Sequence, residues 1–245
     1  MSIIAVLTTK GGAGKSSITV NLGVAAAGKR RRVFAIDCDK KQASVEFWAR
    51  GLRTSDRPVV RVGEYETVAD LISQAQRDNF DFIIIDCPPG GGDLVRRVAG
   101  LADHILIPVR PTAFDLDAVR HTVEMLRTTV DESQPEELQA RTVLAKAAIV
   151  LNGVPTKHSK RLLDDVGGAL EECGAGGLDI VGVLSERSAY ASAIADGKGV
   201  TEDGRDPKAA EEITSLYDNL RARERKRAVP VKGVEDSRTR KRSVR

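Results

Sequence analysis

Cysteine is scarce in this 245-residue chain, and Cys38, Cys87 and Cys173 form no C-x-x-C pair. An odd set of scattered thiols argues against a disulfide framework and fits a reducing compartment. The histidines are equally sparse: His104, His121 and His158 lie far apart, so no structural metal is implied. Long apolar runs are missing as well. None approaches the roughly 20 residues of a membrane span, and the first apolar stretch is short and lacks a cationic leader, so no signal peptide is expected. Together these absences describe a soluble, cytoplasmic protein.

Charge is present in quantity but unevenly placed. The formal net charge is +3, yet residues 221–245 hold 11 Lys/Arg against three acids, leaving a mildly acidic body of net −5 over residues 1–220. The last stretch, RAVPVKGVEDSRTRKRSVR, has too little apolar content to offset the entropy of ordering. Two units follow: a folded domain over 1–222 and a basic, disordered tail over 223–245. The length is ample for a single hydrophobic core.

Six short apolar runs are bounded by turn residues: IIAVL (3–7), VFAI (33–36), FIII (82–85), ILIPV (105–109), AAIVL (147–151) and IVGVL (180–184). Continuous apolarity without alternation marks strands buried on both faces of a parallel sheet. Helical patterns alternate with them over 14–27, 67–78, 115–130, 157–173 and 207–222. The fold class that follows is α/β, a doubly wound, mostly parallel sheet flanked by helices.

After the first strand comes KGGAGKSS (10–17). A strand, a glycine-rich turn and a helix start bring backbone N–H groups and the positive end of the helix dipole to one point, which binds phosphate. Gly11, Gly12 and Gly14, with Ala13 between, let the backbone close around an anion; Lys15 can reach the β/γ-phosphates and Ser16 can ligate Mg²⁺. The usual G-x-x-x-x-G-K-[ST] is not strictly met, because Thr9 takes the first glycine position. Asp37 and Asp86 end two other strands and Asp39 lies just beyond the first of these, so all three can converge where ligands of open α/β sheets bind. Asp86 reads as the acid that holds the Mg²⁺ hydration shell. Asn152, at the end of a strand, admits two readings, an adenine contact or a plain strand-end turn. Trp48, in EFWAR, reads as a packing residue between a helix and the sheet.

The set K-G-G-x-G-K-S, then D-C-D with a Trp nine residues on, then I-I-I-D-C-P-P, resembles the deviant Walker A, A′ and B motifs of ParA-type partition ATPases in the ParA/MinD branch of P-loop NTPases. LIPVRPTAFDLDAV and SERSAYASAIADGKGVTE extend the likeness over about residues 2–220, and the short N-terminus is similar to the small ParF-like members. The resemblance implies that Lys10 crosses a homodimer interface to the phosphates of the other subunit, acting like an arginine finger. It implies further that Asp39 orients the attacking water, that Asp37 supports the Mg²⁺ and water network, and that Ser17 meets the α-phosphate. Slow ATP hydrolysis, an ATP-bound dimer, non-specific DNA binding on the nucleoid and stimulation by a centromere-binding protein of the ParB or ParG kind are all implied.

By the same resemblance, Arg187, Lys198 and Arg221 fall in DNA-facing segments. The net +8 of residues 221–245 suits phosphate contacts and equally suits a solubilising end. One departure is Asp39-Lys40-Lys41-Gln42, where the family has D-x-D-P-Q; the two cations near the triphosphate either strengthen nucleotide binding or are simply exposed. A MinD-like positioner needs a C-terminal amphipathic helix with bulky apolar residues. The last 20 residues contain no Leu, Phe or Trp, so no membrane docking is expected. A metabolic P-loop enzyme of the dethiobiotin-synthetase kind shares the sheet, but Lys10 and SERSAY do not suit it.

Overall fold

The computed structural model describes residues 1–129, 143–157 and 160–228. Seven strands form one parallel sheet: β1 (Ser2–Val6), β2 (Val33–Asp37), β3 (Val59–Val62), β4 (Phe82–Asp86), β5 (His104–Val109), β6 (Ala147–Val154) and β7 (Ile180–Ser185). Their order is β3-β2-β4-β1-β5-β6-β7. Strands β1, β2, β4 and β5 are buried at every position, because successive side chains feed opposite faces and both faces are covered.

Two cores result. Ile3, Ala5, Phe34, Ile36, Ile83, Ile85 and Ile107 point to one face. It is covered by α3 (Val68–Arg77), α4 (Asp93–Leu101), α5 (Ala113–Arg127) and α6 (Lys160–Glu172). Ile4, Val6, Ala35, Phe82, Ile84 and Leu106 point to the other. There α1 (Lys15–Gly28), α2 (Ser44–Phe47), α7 (Ser188–Ala195), α8 (Val200–Asp203) and α9 (Pro207–Ala228) pack. Helix α1 is apolar nearly all round, since the sheet lies on one side of it and α7, α8 and α9 on the other. Trp48, in the π-helical turn after α2, is buried in this second core with the Arg53 guanidinium 4.8 Å from its ring centroid.

The six expected strands are all present. The sheet also has β3, an edge strand whose VVRV is only partly buried and reads as no continuous apolar run. Helices α2, α4, α7 and α8 were not legible as separate patterns; they have four to nine residues. Helix α9 continues to Ala228, past the expected boundary at 222. Residues 229–245 of the expected tail lie outside the described residues.

Candidate nucleotide-binding site

Parallel strand register aligns the site. Val6, Asp86 and Asp37 are neighbours across β1, β4 and β2, so the turn after β1 lies beside both carboxylates at the carboxyl edge of the sheet. Gly12 and Gly14 hold φ of +75° and +96°, values an L side chain rarely adopts. At Gly14 a Cβ would also stand 2.1 Å from Asn152 Nδ2. That amide donates to the Ala13 carbonyl at 2.8 Å. Asn152 therefore ties the end of β6 to the phosphate loop.

Ser16 Oγ donates to Asp86 Oδ2 at 2.6 Å, and Thr19 Oγ1 to Oδ1 at 3.3 Å. Thr19 was not anticipated, although Ser16 and Thr19 stand three apart on one helix face, which brings their hydroxyls together. Burial pushes the fully enclosed Asp86 carboxyl up to about 7, against these hydrogen bonds and Lys15. Lys15 is also buried, and burial lowers its ammonium below the usual lysine value despite Asp86 and Asp39 nearby. Its Nζ donates to the Lys10 carbonyl at 3.1 Å. A buried ammonium satisfied by a single backbone carbonyl fits a site built for a stronger anion.

The other two carboxylates are held in different ways. Asp37 Oδ1 accepts from Asp39 N–H, and Oδ2 from Val45 and Glu46 N–H, at 2.9–3.0 Å. With both oxygens on backbone donors, Asp37 anchors the loop to α2. Asp39 is buried and accepts from Gln42 N–H at 3.3 Å. Among the described residues no three His, Cys, Asp or Glu side chains form a metal cluster. Mg²⁺ needs none, since it commonly binds one or two protein groups plus phosphate and water, and Ser16 with Asp86 fits that pattern. Lys40 is drawn to Glu64, 2.8 Å away, so of the two extra cations it is held by an acid.

Lys10 is partly exposed but paired. Its Nζ lies 3.1 Å from Asp115 Oδ2 on α5 and 5.8 Å from the Phe114 ring centroid. Thr112 caps α5: its Oγ1 accepts from Asp115 N–H and donates to the Asp115 carboxylate, a T-x-x-D pattern readable in PTAFD. Thr9, in place of the motif's first glycine, accounts for that departure: its Oγ1 donates to the Ala118 carbonyl and its N–H to Thr122 Oγ1. The loop entrance is thus clamped to α5 at two points.

A cavity of about 720 Å³ opens beside the loop, lined by Gly14, Ser17, Ile18, Arg110, Asn152 and Tyr190. Its volume suits a small-molecule ligand. Arg187 also borders it. Its guanidinium reaches Glu212 at 3.0 Å and Asp206 at 3.4 Å, and Glu212 also accepts from Ser185 and Tyr190. Arg187 is consumed in a half-buried network. Arg221, at the opposite edge of the sheet, pairs with Glu224 and meets Ser2 Oγ; it too is engaged. Lys198 is exposed between α7 and α8.

The family described as CobQ/CobB/MinD/ParA nucleotide binding domain matches residues 4–200. Maintenance of carboxysome distribution protein A of Halothiobacillus neapolitanus is 29% identical over 222 residues, 89% of this chain and 95% of that protein. The MinC:MinD cell division protein complex of Aquifex aeolicus gives a TM-score of 0.71 at 18% identity, over 91% of this chain and 96% of that one. An ATP complex of McdA from Cyanothece gives 0.68 at 17% identity, over 90% and 96%. Phosphate loop, acidic strand ends and parallel sheet agree with these likenesses, and the chain belongs to the CobQ/CobB/MinD/ParA nucleotide-binding family, in its ParA/MinD form.

Proposed function

We propose that this protein is an ATP-dependent dimerising partition ATPase that binds DNA without sequence preference and positions plasmid, chromosomal or similar cargo. The observation that carries this reading is the placement of Lys10. It stands at the mouth of the phosphate loop, a third exposed, with its ammonium on Asp115 of α5. A cation there would be free to serve a phosphate held by a second copy. Lys15 and the backbone N–H groups from Gly11 to Ser17 would hold the ATP phosphates. Ser16 and Asp86 would hold Mg²⁺, which when bound neutralises charge developing on the transferred phosphoryl group. Asp39 would orient the attacking water, in a loop fixed by Asp37. With little general-base chemistry among the described residues of the site, turnover would be slow and the ATP-bound dimer long-lived.

The relatives support the cargo reading by name, one for carboxysome distribution and one for cell division. A partner of the centromere-binding ParB or ParG kind would stimulate hydrolysis. Among the described residues no helix is long and apolar enough to cross a membrane. Sizing with a non-hydrolysable ATP analogue tests the core of the proposal: wild type should run as a dimer and Lys10→Ala as a monomer. Co-sedimentation with DNA in ATP, ADP and no nucleotide tests the rest. Wild-type monomers at saturating analogue would sink the dimer, and equal DNA binding in all three states would sink the switch.

A further inference from the structure

The end of the sheet farthest from the nucleotide carries a second concentration of charge that the phosphate chemistry does not use. Between α1 and β2 the chain reads Lys29-Arg30-Arg31-Arg32. Helix α1 ends there with Arg31 N–H donating to the Ala26 carbonyl and Arg30 N–H to the Ala27 carbonyl. This is a Schellman closure, whose left-handed position normally takes glycine. Arg30 occupies it at φ +63°. A side chain held where glycine is more stable is the kind of local rule-breaking that marks function.

Three segments meet at this rim. The Asp81 carbonyl accepts from Arg31 Nη2 at 3.0 Å and from Ser2 N–H at 3.1 Å, and Ser2 Oγ accepts from Arg221 of α9 at 3.3 Å. Arg31 and Arg221 are neutralised by Asp81 and Glu224 and act as struts. Lys29, Arg30 and Arg32 are exposed. Among the described residues these three have no ion-pair partner, and neither has Arg225 or Lys226. Arg32 lies with its guanidinium 5.0 Å from the Phe80 ring centroid, which stiffens it. A cavity of about 470 Å³, bordered by Ser2, Lys146, Arg221 and Arg225, continues the rim. Helix α9 ends on this side, since Arg223 reaches the carbonyls of Ala145 and Ala147 at the start of β6. The sequence beyond it adds Lys232, Arg238, Arg240, Lys241, Arg242 and Arg245.

We propose that this basal rim, the Lys29–Arg32 turn with the end of α9, is the surface that holds the DNA backbone. The inference rests on the partition reading above and gives its DNA partner a location. Unpaired cations repeated over a broad edge, mostly arginine, match a polyanion with regularly repeated phosphates. The turn itself, Lys29–Arg32, offers no apolar side chain to insert into a lipid surface. The rim lies a strand length, about 17 Å, from the phosphate loop, so nucleotide does not touch it.

The test is anisotropy of a labelled random-sequence duplex with the full chain, titrated with salt, in ATP and in ADP. The variants are K29E/R30E/R32E and Arg30→Gly. With ATP, the triple variant should lose affinity and its log–log salt slope should fall by about three per protomer, at about 0.9 per phosphate contact. ATP turnover and dimerisation should stay at wild-type values. Arg30→Gly should keep or raise the melting temperature while the slope falls by about one, a result that a purely structural role for Arg30 does not give. A triple variant with wild-type affinity and slope overturns the assignment of the rim while leaving the partition reading intact. Wild type that binds no duplex in any nucleotide state overturns both. Capture on anionic phosphatidylglycerol vesicles that duplex cannot displace overturns DNA as the occupant.

Discussion

The two ends of the sheet use positive charge in opposite ways. At the carboxyl edge Lys15 is buried, bonded to one carbonyl and lowered in basicity by its surroundings. Its neighbours Ser16, Thr19 and Asp86 are already bonded to one another. At the amino edge Lys29, Arg30 and Arg32 are exposed. The first arrangement is costly to build and selects one compact anion, because buried charges demand matched partners. The second costs little and holds an extended anion loosely, with strength set by number and salt. On the proposed reading a switch uses both: an exacting site for nucleotide and a permissive surface for DNA.

The sharpest test of this contrast lies within the exacting end, between its two lysines. Lys10→Ala should reduce ATP turnover by about 10³-fold or more, the range for a cation delivered across an interface, while leaving the monomer's affinity for ATP within a few fold. Lys15→Ala should do the reverse to binding, weakening ATP at least about tenfold through loss of charge-assisted hydrogen bonds of about 1.5–3 kcal/mol. Calorimetric titration beside a phosphate-release assay separates the two. If both variants lose affinity equally, Lys10 belongs to its own subunit's site.

Burial at that end also leaves a pH signature. Asp86 is raised from 3.8 to about 7 by its enclosure, so the folded nucleotide-free protein holds a proton that the unfolded chain gives up. Its stabilising contribution is therefore complete below about pH 4 and is lost as the pH rises through 7, by about 4 kcal/mol at most. Asp86→Asn, which mimics the protonated form, should show a flatter stability profile than wild type between pH 5 and pH 8 in urea unfolding. Parallel profiles would show that Asp86 is already ionised in the free protein.

Arginine gives the next contrast. Arg187 is held by Glu212 and Asp206, with Glu212 further fixed by Ser185 and Tyr190. Burial works to raise the Glu212 carboxyl, yet these donors hold it below its usual value. Arg187→Ala should cost about 1–3 kcal/mol by stranding that acid, a fall of several degrees in melting temperature for a chain this size. The salt slope of DNA binding should not change. A reduced slope in a variant of unaltered stability would return Arg187 to the DNA surface.

What could be read in the residues follows from how each signal is encoded. Strands β1, β2, β4 and β5 were legible because burial on both faces writes an unbroken apolar run. Edge strand β3 carries Arg61 in VVRV and writes none. The phosphate loop was legible because its chemistry requires fixed spacing, and Gly14 shows why: no other residue clears Asn152 at that φ. Partnerships were not legible. That Asp37 spends both oxygens on backbone N–H groups, that Lys40 goes to Glu64 and that Lys10 goes to Asp115 depend on which segments the fold brings together. The KRRR turn was passed over for another reason, since a run of charge has no spacing to distinguish a surface with a partner from a solvated one.

The smallest effect concerns the resting place of Lys10. Asp115 is almost fully enclosed while the Lys10 side chain is a third exposed, and the two are 3.1 Å apart. Lys10 cannot serve a second copy and keep this partner, so the pair opposes dimerisation by whatever it contributes to the single copy. Partly exposed pairs contribute about 0.2–1 kcal/mol, which corresponds to an affinity change of about one and a half to fivefold. Asp115→Asn keeps an acceptor for Thr112 and removes the charge, so helix α5 retains its cap. Sedimentation equilibrium with a non-hydrolysable analogue should then show a dimer dissociation constant lower by up to that factor. A weaker dimer would mean that Asp115 holds Lys10 in its working position, and that the lysine reaches across the interface from the place it already occupies.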